Sequence, residues 1–202
     1  MPVTALVAYA IYVALAFGLR AFVHWRRTGT TGFLGLSGAP LSSEWSAGVL
    51  FAVASIGGGL APAAQLLGWV EPWDGGVVTA ASHALGLGLC TLGIAGTLWA
   101  QFAMGNSWRI GVDQNARTEL VARGPFRWVR NPIFTWMTLV STGLVLLAPN
   151  TLAVLALAVL LVALEIQVRA VEEPYLLRTH GESYRRYAAD TGRFVPGIGR
   201  LG

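Results

Sequence analysis

The most unusual polar pattern in this chain is a set of ionisable residues at the end of an apolar run. The run closes as LEIQVRAVEEPYL, and Glu165, Arg169 and Glu172 fall at i, i+4 and i+7, on one face of a helix. Glu165 precedes Arg169 in the acid-first order that favours an i,i+4 ion pair. Ionisable groups at membrane depth are costly and face a partner or a polar interior. The spacing therefore fits an ion-pair ladder reaching toward water and also the polar wall of a ligand cavity, and the two can coexist. Upstream, TELVARGPFRWVRNPIF carries Gly124-Pro125 and Asn131-Pro132. Each Pro keeps its predecessor out of helix. Pro132 suits the first position of a helix and Asn131 its N-cap. The unpaired N–H groups at such a start suit an anion such as a carboxylate, and a plain membrane-entry turn would use the same residues.

Other chemistries lack their frame. Gly197-Ile-Gly199-Arg-Leu-Gly202 matches G-x-G-x-x-G, but no strand leads into it and no helix follows, so a dinucleotide turn is rejected. His24, His83 and His180 share no ligand spacing, and no metal site is expected. Cys90 is the only cysteine and sits in an apolar run; it reads as a buried structural thiol that can form neither an intramolecular disulfide nor a cysteine zinc cluster. Neither a Ser/His/Asp arrangement nor G-x-S-x-G occurs.

The elements that must position these residues are membrane spans. Of 202 residues, 54% are hydrophobic and 12% charged, with mean hydropathy +0.58. Soluble domains average about 25% charged residues, so an ordinary soluble globule and a disordered tail are both excluded. The fourteen basic residues are all Arg and too scattered to track a phosphate backbone, so the pI of about 9.8 does not point to nucleic acid. Five segments approach the roughly 20 apolar residues a bilayer requires: about 3–23, 45–67, 77–102, 132–148 (short) and 151–171. The first has no basic residue before its apolar run and is not read as a cleaved signal peptide. Every Arg falls at or after the end of span one, three or five, whereas the turn after span two holds Glu71 and Asp74 and that after span four is Pro149-Asn150. This asymmetry places the N-terminus outside and the C-terminus in the cytosol.

Ala80, Ala84, Gly88, Gly96 and Ala100 recur at multiples of four in span three, as do Ala10, Ala14 and Gly18 in span one, and are expected to let helices approach closely. Gly57-Gly58-Gly59 followed by Pro62 predicts a bend or local unwinding in span two. Segment 28–43 reads as an ordered connector or a lid. The expected fold is all-α. It is a single membrane domain, residues 1–202, built as a bundle of five transmembrane helices. A cytosolic roof over it is formed by the loop between spans three and four and by the C-terminal segment. With no internal repeat and only one span interrupted, a transporter of two related halves is not expected.

The residues around Asn131 and Glu172 carry a resemblance. Glu119-Leu-Val-Ala-Arg-Gly-Pro-Phe-Arg-Trp-Val-Arg-Asn-Pro-Ile-Phe is similar to the LV-x-x-GPY-x-x-VRHP-x-Y signature of the isoprenylcysteine carboxyl methyltransferase and phospholipid methyltransferase superfamily. Its second half, EE-x-x-L followed by G-x-x-Y-x-x-Y, is matched by Glu172-Glu173-Pro-Tyr-Leu and by Gly181, Tyr184 and Tyr187. Together they cover about residues 106–197, the half the resemblance makes cofactor-binding. It implies methyl transfer from S-adenosylmethionine to a lipidic or membrane-embedded acceptor, without a Rossmann domain or a metal. It implies that Leu120 and Val121 line the cofactor pocket and that Phe126 stands where a cofactor-contacting Tyr is common. Asn131, Pro132, Ile133 and Phe134 occupy the HP-x-Y positions, and Glu172 is the cofactor-contacting Glu. The family His is Asn131 here, and two family Tyr are Phe126 and Phe134, which keeps aromatic packing and loses ring hydrogen bonds. The isoprenylcysteine enzymes carry a substrate Arg four residues before the first Glu. That position is Val168 here, with Arg169 one residue later and about 100° further round a helix. Arg169 is taken as the candidate catalytic residue, holding an acidic headgroup; Glu165 and Glu173 are equal candidates for a base. Carboxyl methylation, phospholipid or small-lipid N- or O-methylation, and a non-catalytic lipid-binding protein of the same fold remain as alternatives. The Lys-free, Ala-, Gly- and Arg-rich usage suggests a bacterial cell membrane.

Overall fold

The structure is a computed structural model describing residues 2–73, 79–111 and 119–201; Asp74, Arg117 and Gly202 lie outside the described residues. The described chain is helical, without a β-strand: α1 Pro2–Thr28, α2 Ser43–Leu66, α3 Ala80–Met104, α4 Pro132–Leu147, α5 Thr151–His180 and α6 Glu182–Asp190. Four of these (α1, α2, α3 and α5) are long and apolar enough to cross a bilayer, the mark of a multi-pass membrane protein. The apolar α4 has 16 residues, which is roughly 24 Å at helical rise against a hydrocarbon core of about 30 Å.

Large side chains face outward and small ones inward. Val7, Ile11, Ile56, Leu60 and Leu155 are exposed, whereas Ala5, Ala8, Ala16, Ala54 and Ala61 are buried. In lipid no hydrophobic force drives helices together, so close backbone approach decides the packing. α3 and α4 approach closely. A Cβ on Gly93 would lie 2.6 Å from Val140 Cγ2, and one on Gly143 would lie 2.7 Å from Cys90 Sγ and from the Gly86 carbonyl. The contact stripe is therefore Gly86, Cys90, Gly93, Gly96 and Ala100, all buried. This corrects the multiples-of-four stripe, because Ala80, Ala84 and Gly88 are exposed. Four residues turn a helix by about 400°, so a strict four-residue repeat drifts off a face, while alternating steps of three and four stay on it. Cys90 is buried, as its setting implies.

The Gly57-Gly58-Gly59 run does not unwind α2, which continues through Pro62. It makes room: a Cβ on Gly59 would lie 2.7 Å from the Tyr9 ring and one on Gly57 2.9 Å from Ala156 Cβ. Asn150 closes the expected tight hairpin between α4 and α5. Its Oδ1 accepts from the Ala153 N–H at 2.8 Å and its Nδ2 donates to Gln65 Oε1 at 2.8 Å, capping α5 and tying it to α2.

At the opposite end, the buried Arg20 of α1 donates to the Gly105 carbonyl at 2.6 Å and stacks 4.5 Å from the Trp108 ring. Segment 28–43 is an ordered connector here. Its Gly32 carbonyl accepts from Ile110 N–H at 2.8 Å, and Leu34 N–H donates to the Ile110 carbonyl at 3.2 Å, docking it beside the end of α3.

Candidate functional site

A cavity of about 680 Å³ opens among α1, α2, α4, α5, the connector and the loop before α4. Leu120, Val121, Phe126, Asn131, Pro132, Ile133, Phe134 and Glu172 all line it. Eight of the nine residues singled out in the sequence thus share one hollow, although the hairpin of α4 and α5 separates Phe134 from Glu172. The ninth, Arg169, is not brought there. Its side chain is exposed, ion-paired with Glu165, and borders a separate shallow groove with Leu41, Ser43 and Ser46.

The split of Glu172 from Arg169 has a local cause. Residues Gln167–Glu172 form a π-helical turn inside α5. The wider turn advances each residue by less than the usual 100°, so Glu172 does not stay on the face of Glu165 and Arg169 as α-helical counting requires. Gln167 Nε2 donates to Glu172 Oε1 at 3.1 Å, a five-residue pairing that suits this turn. Such widened turns are frequent at functional positions.

A charged clamp that single-residue reading missed is built into the cavity wall, where Arg130 and Glu173 are both lining residues. Arg130 Nη2 donates to Glu173 Oε1 at 2.7 Å, and Arg193 donates from Nε to the same oxygen at 2.8 Å and from Nη2 to Oε2 at 3.0 Å. Arg130 also donates from Nη1 to the Ala188 carbonyl at 2.9 Å and from Nη2 to that of Gly199 at 3.0 Å. Both Glu173 oxygens are engaged by cations, which leaves this carboxylate poorly suited to take a proton. The clamp joins the loop before α4, the end of α5 and the C-terminal segment. Asn131 belongs to the same junction. It sits at the N-cap position of α4 without a side-chain cap, and instead its backbone N–H and its Nδ2 both donate to the Arg193 carbonyl at 3.1 Å. Asn131 thus takes the expected N-cap position, but its Nδ2 is directed to the Arg193 carbonyl and its side chain makes no cap hydrogen bond to the helix's first N–H groups.

Tyr184 and Tyr187 of α6 also line the cavity. Tyr187 donates its hydroxyl to the Phe126 carbonyl at 2.5 Å, fixing the aromatic wall. Burial, and then the nearby Glu173 charge, pushes the Tyr184 hydroxyl up to about 12; burial raises that of Tyr187 as well. The first half of the chain contributes Tyr9, Phe17, Glu44 and Phe51, and the segment after α3 contributes Trp108. None of these was singled out in the sequence: Tyr9, Phe17 and Phe51 are ordinary span residues, and Glu44 and Trp108 ordinary flanking ones, until the helices are packed. Among the described residues no group of His, Cys, Asp and Glu is arranged to hold a metal.

Residues 81–183 match the family model for phospholipid methyltransferase, just over half of the chain, and the protein belongs to that family. The match runs from α3 through the cavity-lining loop and the α4–α5 hairpin into α6. It makes the protein a membrane methyltransferase with lipid-like substrates. No curated protein matches the chain.

Proposed function

We propose that the protein transfers a methyl group from S-adenosylmethionine to a phospholipid-like acceptor, and that the cavity is where donor and acceptor meet. The observation carrying this reading is the convergence of the two halves of the signature, Leu120 to Phe134 and Glu172, on one hollow. Its volume lies within the roughly 300–1,000 Å³ usual for small-molecule sites. Beside Arg109 and Arg130, the latter ion-paired with Glu173, its lining holds groups that suit a cation. Glu44, Glu119 and Glu172 supply carboxylates and Phe126 and Phe134 supply aromatic rings, groups that attract a positive sulfonium by charge and by ring quadrupole.

When bound, the cofactor supplies an electrophilic methyl on a cationic sulfur. The chain's part is placement. Glu172, oriented by Gln167, accepts charge-assisted hydrogen bonds. The Arg130–Glu173–Arg193 clamp holds the loop and the C-terminal segment as a roof, so that reacting groups stay aligned and water is kept out. An anionic acceptor atom needs no base, because charge cancels as the methyl moves; an amine acceptor must lose a proton. The match to the phospholipid methyltransferase family favours a phospholipid over an isoprenylcysteine. The exposed position of Arg169 agrees, since it removes the one residue that could stand in for the isoprenylcysteine enzymes' substrate Arg.

In this reading residues 1–202 are one membrane domain, with cofactor-binding in residues 106–197. The short α4 is a fifth span, paired along α3 and fixed by the buried Asn150. The N-terminus is outside, and the cavity mouth with its Arg-rich surroundings faces the cytosol of a bacterial cell. The test is incubation of purified protein with methyl-labelled S-adenosylmethionine and a host lipid extract, followed by identification of the labelled species. Label on a phospholipid headgroup supports the reading. Cofactor binding with label on a non-lipid carboxylate redirects the substrate, and absence of cofactor binding removes the enzyme.

A further inference from the structure

The cavity does not stop at the site of methyl transfer. An arm continues between α1 and α2, past Phe17 and Phe51, to Tyr9 and Ser55. From Phe17 to Tyr9 the helix rises about 12 Å, which carries the arm well away from Glu172 and into the apolar part of the bundle. Of its lining residues, Ile56 falls on the same helix face as Val53 and Leu60, exposed residues of α2 that do not line the cavity. The arm therefore borders the apolar outer face of α2, which the fold turns to lipid.

Its far end is built. No residue of α1 before Tyr9 and none of α2 beyond Ile56 lines the cavity. The Tyr9 hydroxyl donates to the Ser55 carbonyl of α2 at 2.5 Å, bridging the two helices. The ring lies over Gly58 and Gly59, where a Cβ would stand 3.2 and 2.7 Å from ring carbons. Glycines at these positions let a full aromatic ring sit across the gap, held at one edge by a hydrogen bond and at its face by backbone.

Building on the methyltransferase reading, we infer that Tyr9 is a specificity-determining residue: it is the floor of an arm that takes a hydrocarbon chain of the phospholipid acceptor, and its ring sets the length of chain accepted. A chain entering from the bilayer leaves one apolar medium for another, so no hydrophobic gain distinguishes long from short. Discrimination is steric, and a chain that overruns the floor must displace a packed ring.

The experiment uses full-length protein equilibrated in vesicles of phosphatidylethanolamines in equal proportion, their saturated chains ranging from decanoyl to stearoyl. Retained lipid is read by native mass spectrometry, and methylated lipid by transfer of labelled methyl from S-adenosylmethionine. Tyr9→Ala is expected to move both distributions to longer chains by at least one step of the series. Tyr9→Phe, which keeps the ring and loses the hydrogen bond, is expected to retain the wild-type profile. Ile56→Trp alters a lipid-exposed position and adds bulk from the facing wall; it is expected to move the profile to shorter chains and covers the case in which Tyr9→Ala does not fold. Profiles unchanged in every folded variant would overturn the inference, as would a wild-type protein that retains no lipid. If retained lipid shifts as stated while no lipid is methylated, the arm and its floor stand and the assigned reaction fails.

Discussion

Arg130 Nη2 lies 2.7 Å from Glu173 Oε1, and both side chains are almost wholly withdrawn from solvent, 2% and 8% exposed. The first residue closes the loop before α4 and the second begins the last turns of α5, so this pair joins the two stretches that carry the family signature. Arg193 completes the junction from the C-terminal segment. Removing one member of a buried pair leaves an uncompensated charge, at a cost of about 3–5 kcal/mol. Arg130→Met and Glu173→Gln are each expected to lower the thermal midpoint of the purified protein strongly. Thermal unfolding in detergent followed by intrinsic fluorescence checks this, and a midpoint within a degree or so of wild type would refute it.

Glu172 is the carboxylate that the π-helical turn delivers to the cavity. Glu172→Gln keeps the shape and removes the charge. A hydrogen bond to a charged group contributes about 1.5–3 kcal/mol, so cofactor affinity should fall at least tenfold while the thermal midpoint without cofactor hardly moves. Titration calorimetry with S-adenosylmethionine reads the affinity directly, and an unchanged dissociation constant would take Glu172 out of the site.

Arg169 makes the contrasting case. Its partner Glu165 is on the same exposed face, and exposed i,i+4 pairs contribute about 0.3–0.5 kcal/mol. Arg169→Ala is expected to leave cofactor affinity, turnover and stability close to wild type. Lost turnover with intact cofactor binding would return Arg169 to a role in holding substrate.

Gly93 and Gly88 lie on the same helix with opposite fates. A Cβ at Gly93 meets Val140 and the Trp136 carbonyl, whereas one at Gly88 meets nothing within 4 Å. Gly93→Val should cost about 1–3 kcal/mol through overpacking, and Gly88→Ala should be neutral or slightly stabilising. Melting midpoints of the two variants check the close α3–α4 crossing: equal midpoints for both would overturn it.

Tyr184 gives the fold a pH dependence at the alkaline end. Its hydroxyl is held from 10.0 up to about 12 by burial and then by the charge of Glu173. The group is raised in the folded state, so its contribution to stability is fully present below pH 10 and is lost as pH climbs from about 10 to 12. Tyr184→Phe should flatten that part of the stability curve. The wild-type phenol signal at alkaline pH should include a late-titrating group that the variant lacks; equal curves for the two proteins would show Tyr184 to be solvated.

Composition and Arg placement were enough to identify a helical membrane protein and to locate its apolar segments, because the bilayer imposes one length and one polarity on every span. The eight cavity residues were named through the resemblance of two stretches to a family signature; residue types and spacing alone left the Asn131-Pro132 turn open between a binding site and a membrane-entry turn. What the amino-acid order did not carry was rotation. Whether Gly88 or Gly86 faces α4, and whether Glu172 shares a face with Arg169, depends on helical phase, and in α5 a widened turn at Gln167–Glu172 changes that phase without leaving a pattern of its own. Nor did it carry long-range partnership: Tyr9 meets Ser55, and Arg130 meets Glu173 and Arg193, only once the helices are side by side. One-dimensional order specifies which residues are apolar and which are charged, whereas the packing of small side chains against one another decides which of them turn inward to the common cavity.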